Sequence, residues 1–310
     1  MSGGLKVSAV IPAYNSEGTI ARALRSVFAQ TRPPDEIIVV DDGSTDQTRN
    51  IVSAALSDRI RLVATPSRMG AGGARNVGIA AAGGDVIAFL DSDDEWLPTK
   101  LELQLEMLTS DRRLAFVACA ARSISTEGND LGDTYGLRRI STGSEAWKAL
   151  LACNFVATPA VVAWRRHVVA AGGFDEALKI GEDQDLWIRL ALAGSLGYVP
   201  ESLVRVHLRA DSLSSWMLDD LLAYTMPMIE RHLSQQRLRL TPSDVRRIRG
   251  ERLNRFGRVA YVRGDVVRGA HLIARSMMLG YQPIESTLYL LRGAPPLLWL
   301  KRQFESRAAG

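Results

Sequence analysis

Two carboxylates one residue apart, Asp91 and Asp93, stand where the apolar run Val86-Ile87-Ala88-Phe89-Leu90 stops. Carboxylates this close repel each other unless a proton or a cation relieves them. Oxygen ligands select Mg²⁺ or Mn²⁺, and Mg²⁺ is typically held by one or two carboxylates plus substrate phosphates rather than by an all-protein cage. The local chemistry therefore predicts a metal shared with a phosphorylated ligand. A polar turn is the competing account, because Asp and Ser are ordinary turn residues.

Other residues able to do chemistry fall at comparable places. Tyr14 and Asn15 follow one apolar run, and Asp41 and Asp42 follow another. Arg75 lies in the segment Gly70-Ala71-Gly72-Gly73-Ala74-Arg75-Asn76-Val77-Gly78, read as a glycine-rich lead into a short Ala-rich helix whose first amides favour a phosphate. Glu182 and Asp183 open a later helix, where a carboxylate serves either as a cap or as a reacting group. His207 stands at the end of a late strand, and imidazole is an acceptable Mn²⁺ ligand.

The elements that must position these groups follow from periodicity. Residues 6–11, 36–40, 60–64 and 86–90 read as strands, those over 36–40 and 86–90 buried, with Pro12 ending the first. Helices fill the gaps, one capped by Ser16 and one opened by a Ser44-x-x-Gln47 capping box and running to about Leu56. Strand alternating with helix means a parallel sheet covered by helices, with ligands at the carboxyl edge of the strands. Further on, a helix follows Pro98, residues 114–119 read as a strand, and residues 120–140 as irregular. A helix over 144–152 and a strand over 158–164 follow, then a turn at 171–175, a helix over 183–192 and a strand over 198–207.

Near Ala210 the pattern changes to helices with many arginines, which divides the chain into 1–210 and 211–310. Residues 255–278 read as a helical hairpin about Gly264-Asp265. Such a unit cannot bury itself, so it must dock on the main domain, on another copy as in a homodimer, or on a partner. Ala294-Pro295-Pro296-Leu297-Leu298-Trp299-Leu300-Lys301-Arg302 combines apolar residues with cations, which suits either a packed C-terminal helix or peripheral membrane contact.

Composition narrows the function classes. A net charge of +4 and a pI near 9.2 suit anionic ligands, and no Lys/Arg run interleaved with aromatics calls for nucleic acid. Two cysteines, Cys119 and Cys153, argue against a disulfide framework or zinc site and point to a reducing cytoplasm. Neither a secretory leader nor an apolar stretch long enough to span a bilayer is evident. The expected location is the cytoplasm, or the inner face of the membrane through the C-terminal extension.

Six motifs in order resemble one family: Ile11-Pro12-Ala13-Tyr14-Asn15, Asp41-Asp42-Gly43-Ser44, Ala74-Arg75-Asn76-Val77-Gly78-Ile79, Phe89-Leu90-Asp91-Ser92-Asp93-Asp94, Gly172-Gly173-Phe174-Asp175 and Gly181-Glu182-Asp183-Gln184-Asp185-Leu186-Trp187. Together they are similar to the motif set of the family-two inverting glycosyltransferases, over roughly residues 5–210. The resemblance implies an α/β fold of glycosyltransferase-A type, with a Rossmann-like, mostly parallel sheet, flanking helices and here a C-terminal helical extension. It implies a nucleotide-sugar donor, usually UDP-linked, bound with Mn²⁺ or Mg²⁺, and a glycan, lipid-linked or small-molecule acceptor. Tyr14 would pack on the base, Asp42 would accept from its ring N–H, and Pro12 would shape the pocket. Arg75 would contact the diphosphate or base, Asp91 the ribose or metal, and Asp93 would hold the ion, with His207 as a further ligand. Asp183 matches the catalytic base and Glu182 would lie on the acceptor side, while Trp187 reads as a core residue that could also line the acceptor site.

The Gln-x-x-Arg-Trp motif that accompanies processive synthesis in that family is absent, so transfer of one or a few sugars in surface glycan or polysaccharide synthesis is expected. Two rivals remain: a nucleotidyltransferase, which needs a glycine-rich basic loop where Pro12-Ala13-Tyr14-Asn15 stands, and a non-catalytic nucleotide-sugar-binding scaffold.

Overall fold

The computed structural model describes residues 4–55, 58–135, 140–208 and 218–292. The chain divides into two compact units, one of residues 1–150 and 154–215 and one of residues 151–153 and 216–310.

The first unit is built on a nine-stranded sheet. Its opening strands, β1 (Val7–Ala13), β2 (Glu36–Asp41), β3 (Ile60–Ala64) and β4 (Val86–Phe89), are parallel and ordered β3-β2-β1-β4. All residues of β1 and β4 are buried, which is why they read as continuous apolar runs instead of alternating ones. The crossovers carry α1 (Ile20–Phe28), α2 (Thr48–Ala54) and α3 (Gly70–Ala81).

Beyond β4 the sheet becomes mixed. β5 (Glu95–Trp96), α4 (Lys100–Ser110), β6 (Leu114–Ile124), β7 (Asp130–Asp133), α5 (Ala146–Ala152), β8 (Val161–Trp164), α6 (Arg165–Ala170), α7 (Glu182–Ala193) and β9 (Ser195–His207) follow in the chain. β8 runs antiparallel between β4 and β6, β9 lies parallel to β6, and β5 closes the order antiparallel to β9.

Several local expectations are corrected. β1 runs through Pro12 to Ala13, paired with Val40 and Asp41. The missing amide costs little there, because the ladder to β4 has already ended at Val10. Ser16 does not cap α1: Thr19 holds that position, and the Ser16 hydroxyl meets that of Ser92 at 2.8 Å. Nor does Ser44 open a capping box. α2 begins at Thr48, and Ser44 Oγ accepts from the Asn15 amide at 3.1 Å. These hydroxyls brace one strand-end loop against the next. The glycine-rich segment is itself the start of α3 and not a lead into it. β6 extends five residues past Cys119 and pairs with β7, because β9 supplies a ladder for its polar end from Ala121–Val204 to Ile124–His207.

In the second unit α8 (Leu218–Asp220) continues through one π-helical turn, Leu221–Thr225, into α9 (Met226–Gln235). α10 (Pro242–Val262) starts from a true capping box in which Thr241 and Asp244 exchange bonds of 3.1 and 3.0 Å. It forms the expected hairpin with α11 (Val266–Met278) about Gly264-Asp265, and α12 (Pro283–Arg292) follows. A Cβ on Gly257 or Gly269 would lie 2.7 Å from the other's carbonyl oxygen, so the two helices touch backbone to backbone. No helix of the described residues is long and apolar enough to cross a membrane. The stretch from Ala294 to Arg302 lies outside the described residues.

Candidate functional site

The carboxyl ends of β1, β2 and β4 carry Tyr14, Asp41, Asp42, Asp91 and Asp93, and one buried guanidinium links the last of these ends to α7. Arg75 sits in the second turn of α3, and its side chain is 6% exposed. One terminal nitrogen donates to Asp91 Oδ1 at 2.6 Å, and the other to Glu182 Oε1 at 3.1 Å. Its Nε is buried without a hydrogen-bond partner. Arg75 thus spans from the tip of β4 to the first residue of α7. α3 approaches the sheet closely enough for this because Gly78 presses on Val10, where a Cβ would meet a Val10 methyl carbon at 2.4 Å.

α7 opens at Gly181, whose φ of 80° lies in the left-handed region that favours glycine. That turn delivers Glu182 and Asp183 side by side. Asp183 Oδ1 accepts from the Gln184 amide at 2.6 Å, and Oδ2 accepts from Asn154 Nδ2 at 2.9 Å. Burial pushes the Asp183 carboxyl above its ordinary pKa, against those bonds and the charge of Arg75. Glu182 is pushed up to about 7 by burial first and then by the charge of Asp183, with Arg75 opposing. Two carboxyl groups with raised proton affinity at a helix start are a suitable arrangement for taking a proton.

Tyr14 is partly exposed, and the Arg68 guanidinium lies 3.8 Å above its ring. Arg68 carried no motif; only the fold sets it over the aromatic. Asp42 is buried and caps α3: its Oδ1 accepts from Thr65 Oγ1 and the Met69 amide, and its Oδ2 from the Gly70 amide. Asp41 pairs with Arg49 at 3.2 Å and accepts from the Ser44 amide. Pro12 is buried within β1, opposite Val40.

Asp93 is half-buried in the turn after β4, and its carbonyl accepts from Arg22 on α1. Asp94 is buried, and its carboxyl is pushed well above the usual range by burial and then by the charges of Asp93 and Asp91. The carboxyl groups of this turn thus oppose one another's charge, with Asp91 relieved by Arg75 and Asp94 by its raised proton affinity. Among the described residues no cluster of three or more His, Cys, Asp or Glu is arranged to hold an ion. The chemistry of the carboxylate oxygens at this turn suits a hard cation such as Mg²⁺ or Mn²⁺, whose remaining ligands would have to come from elsewhere. His207 lies at the end of β9, where its Nε2 meets Glu95 Oε2 at 2.7 Å and its amide donates to Asp94.

Of the two readings of Trp187 the structure shows the core one and not the acceptor-side one: it is fully buried, stacked on Phe116 at 5.8 Å and packed against Phe89 and Phe174. It falls on the inner face of α7, one turn after Asp183, where the helix meets the sheet. Asn154, Arg22 and Arg68 were missed. Asn154 and Arg22 offered only residue type, and their partners are 29 and 71 residues distant.

A family model described as "Glycosyl transferase family 2" matches residues 8–166. The succinoglycan biosynthesis protein ExoO of Rhizobium meliloti (strain 1021) is 35% identical over 226 residues, covering 67% of this chain and 62% of that one. The Escherichia coli UDP-Glc:alpha-D-GlcNAc-diphosphoundecaprenol beta-1,3-glucosyltransferase WfgD is 45% identical over 102 residues, 33% of this chain and 40% of that one. Of several other curated relatives the matched part of this chain spans only 29% to 34%. Among solved structures, S. aureus TarS 1-349 in complex with UDP-GlcNAc gives a TM-score of 0.57 at 18% identity, over 92% of this chain and 91% of that one, which shows a shared fold.

Proposed function

Since the chain belongs to glycosyl transferase family 2, we propose that it transfers a sugar from a UDP-linked donor to an acceptor hydroxyl with inversion, without processive polymerisation. The observation that carries the reading is the Arg75 bridge, which couples Asp91 at the strand tip to Glu182, the neighbour of Asp183. Donor-side and acceptor-side carboxylates are thereby one guanidinium apart.

In this reading Tyr14 packs on the base, with Pro12 shaping the pocket. Asp42 already accepts three bonds, and a carboxylate offers about four acceptor positions, so one remains for a ring N–H. Arg75 orients Asp91 beneath the donor and offers positive charge near the leaving diphosphate. Asp93, with His207 as a further ligand, would hold Mn²⁺ or Mg²⁺, which when bound supplies Lewis-acid neutralisation of phosphate charge. Asp183 accepts the proton of the attacking hydroxyl, and Asn154 and the Gln184 amide fix its two oxygens so that the carboxylate presents one orientation. Glu182 buffers the charge beside it.

The TarS structures with UDP and UDP-GlcNAc, and the UDP-Glc in the name of WfgD, support uridine as the nucleotide. The names of ExoO and WfgD support an acceptor in polysaccharide synthesis, with a lipid-linked glycan as the first to try. Incubation with a panel of UDP-sugars and Mn²⁺ should release UDP, slowly with water and faster with the right acceptor. Asp183→Asn should keep its UDP affinity within about twofold and lose about 10²–10⁴-fold in turnover, the usual share of a general base. Full turnover by that variant overturns the assignment.

A further inference from the structure

We propose that the outward face of α11, with the exposed apolar residues of α12, docks this protein on an anionic lipid surface. α11 buries Gly269, Leu272, Ile273 and Ser276. The opposite stripe, at positions i, i+4, i+7 and i+11, carries Val267, His271, Ala274 and Met278. Val267 is 82% exposed and Met278 79%. The outer side of a surface helix is ordinarily polar, yet α11 contains no Asp or Glu, and its charged residues are Arg268 and Arg275 along one flank. Arg268 is shared with Asp219 and Asp265. Ile284 and Leu288, one turn apart on α12, are exposed as well.

Charge identifies the occupant. Residues 216–310 hold 16 Lys and Arg against 8 Asp and Glu, whereas the rest of the chain holds 22 against 26. All the net positive charge thus resides in the unit that bears this apolar stripe. A second copy of the same face would set Arg275 against Arg275 on a unit that is already strongly basic. Anionic headgroups complement Arg275 and the unit's excess of cations, and the boundary of the acyl chains accepts Val267, Met278 and Ile284. Past Arg292 the sequence repeats the combination, with Leu297, Leu298 and Trp299 followed by Lys301 and Arg302. This docking is independent of the transferase reading, and it would bring the enzyme to a lipid-linked acceptor.

The test is sedimentation of the full chain with vesicles of phosphatidylcholine alone or with about 30% phosphatidylglycerol, an anionic lipid. Binding to the anionic vesicles should exceed that to neutral ones by about tenfold and fall as salt shortens the Debye length. Val267→Asp with Met278→Asp should reduce binding about tenfold at an unchanged melting temperature, and Arg275→Gln should weaken it several-fold. Equal binding to both vesicle types overturns the proposal, as does parental binding by the double variant. So does a concentration-dependent doubling of mass that the double variant abolishes without any vesicle binding.

Discussion

Asn154 donates to Asp183 and so favours the charged carboxylate, while burial favours the neutral one. Removing the donor leaves burial less opposed. Asn154→Ala should therefore move the acid limb of the kcat/KM profile to higher pH by about one to two units, since a hydrogen bond to a charged group is worth about 1.5–3 kcal/mol and one unit about 1.4. A profile that only drops in height would make Asn154 a packing residue. Glu182 gives a stability counterpart. Its folded pKa of about 7 lies above its ordinary 4.5, so the stability it contributes is full below the ordinary value and lost as pH rises through the folded one. Glu182→Gln, uncharged throughout, should melt higher than the parent at pH 8 and close to it at pH 5. A melting difference independent of pH would contradict the shift.

Among the elements, α3 has the most demanding position. It must carry Arg75 between Asp91 and Glu182 while lying directly on β1 and β2, and Gly78 is what permits the approach. Gly78→Ala places a methyl 2.4 Å from a Val10 carbon, and such overpacking costs about 1–3 kcal/mol. Displacement of α3 should also weaken UDP binding, which calorimetry would register. A variant of parental stability and affinity would show that α3 can shift freely. The α10–α11 hairpin depends on the same device, with Gly257 and Gly269 at its closest approach.

For the whole molecule, a ligand that binds only the folded state stabilises it by about 2.7 kcal/mol at a hundredfold excess over Kd. UDP with Mn²⁺ should therefore raise the melting temperature more than UDP alone. In Asp93→Ala the increment due to Mn²⁺ should vanish while the effect of UDP alone persists. An undiminished increment would remove Asp93 from the ion's ligands. The mild overall positive charge conceals a division that bears on solution behaviour, because the second unit is strongly basic and the remainder slightly acidic.

The sequence by itself determined the parallel half of the sheet and the placement of polar residues at its strand ends. A strand buried on both faces must be apolar throughout, and its end must be where polarity returns, so β1, β2 and β4 announce themselves with their tips, whereas β3, at the edge of the sheet, carries the exposed Arg61. Motif order located Arg75, Glu182 and Asp183 without showing that Arg75 joins Glu182 to Asp91. Tertiary structure alone decided which hydroxyls cap helices and which tie loops together, and where β6 ends. It likewise placed Trp187 in the core, Arg68 over Tyr14 and Asn154 on Asp183. Each of these depends on a partner remote in the chain, and local propensity carries no information about a neighbour that only folding supplies.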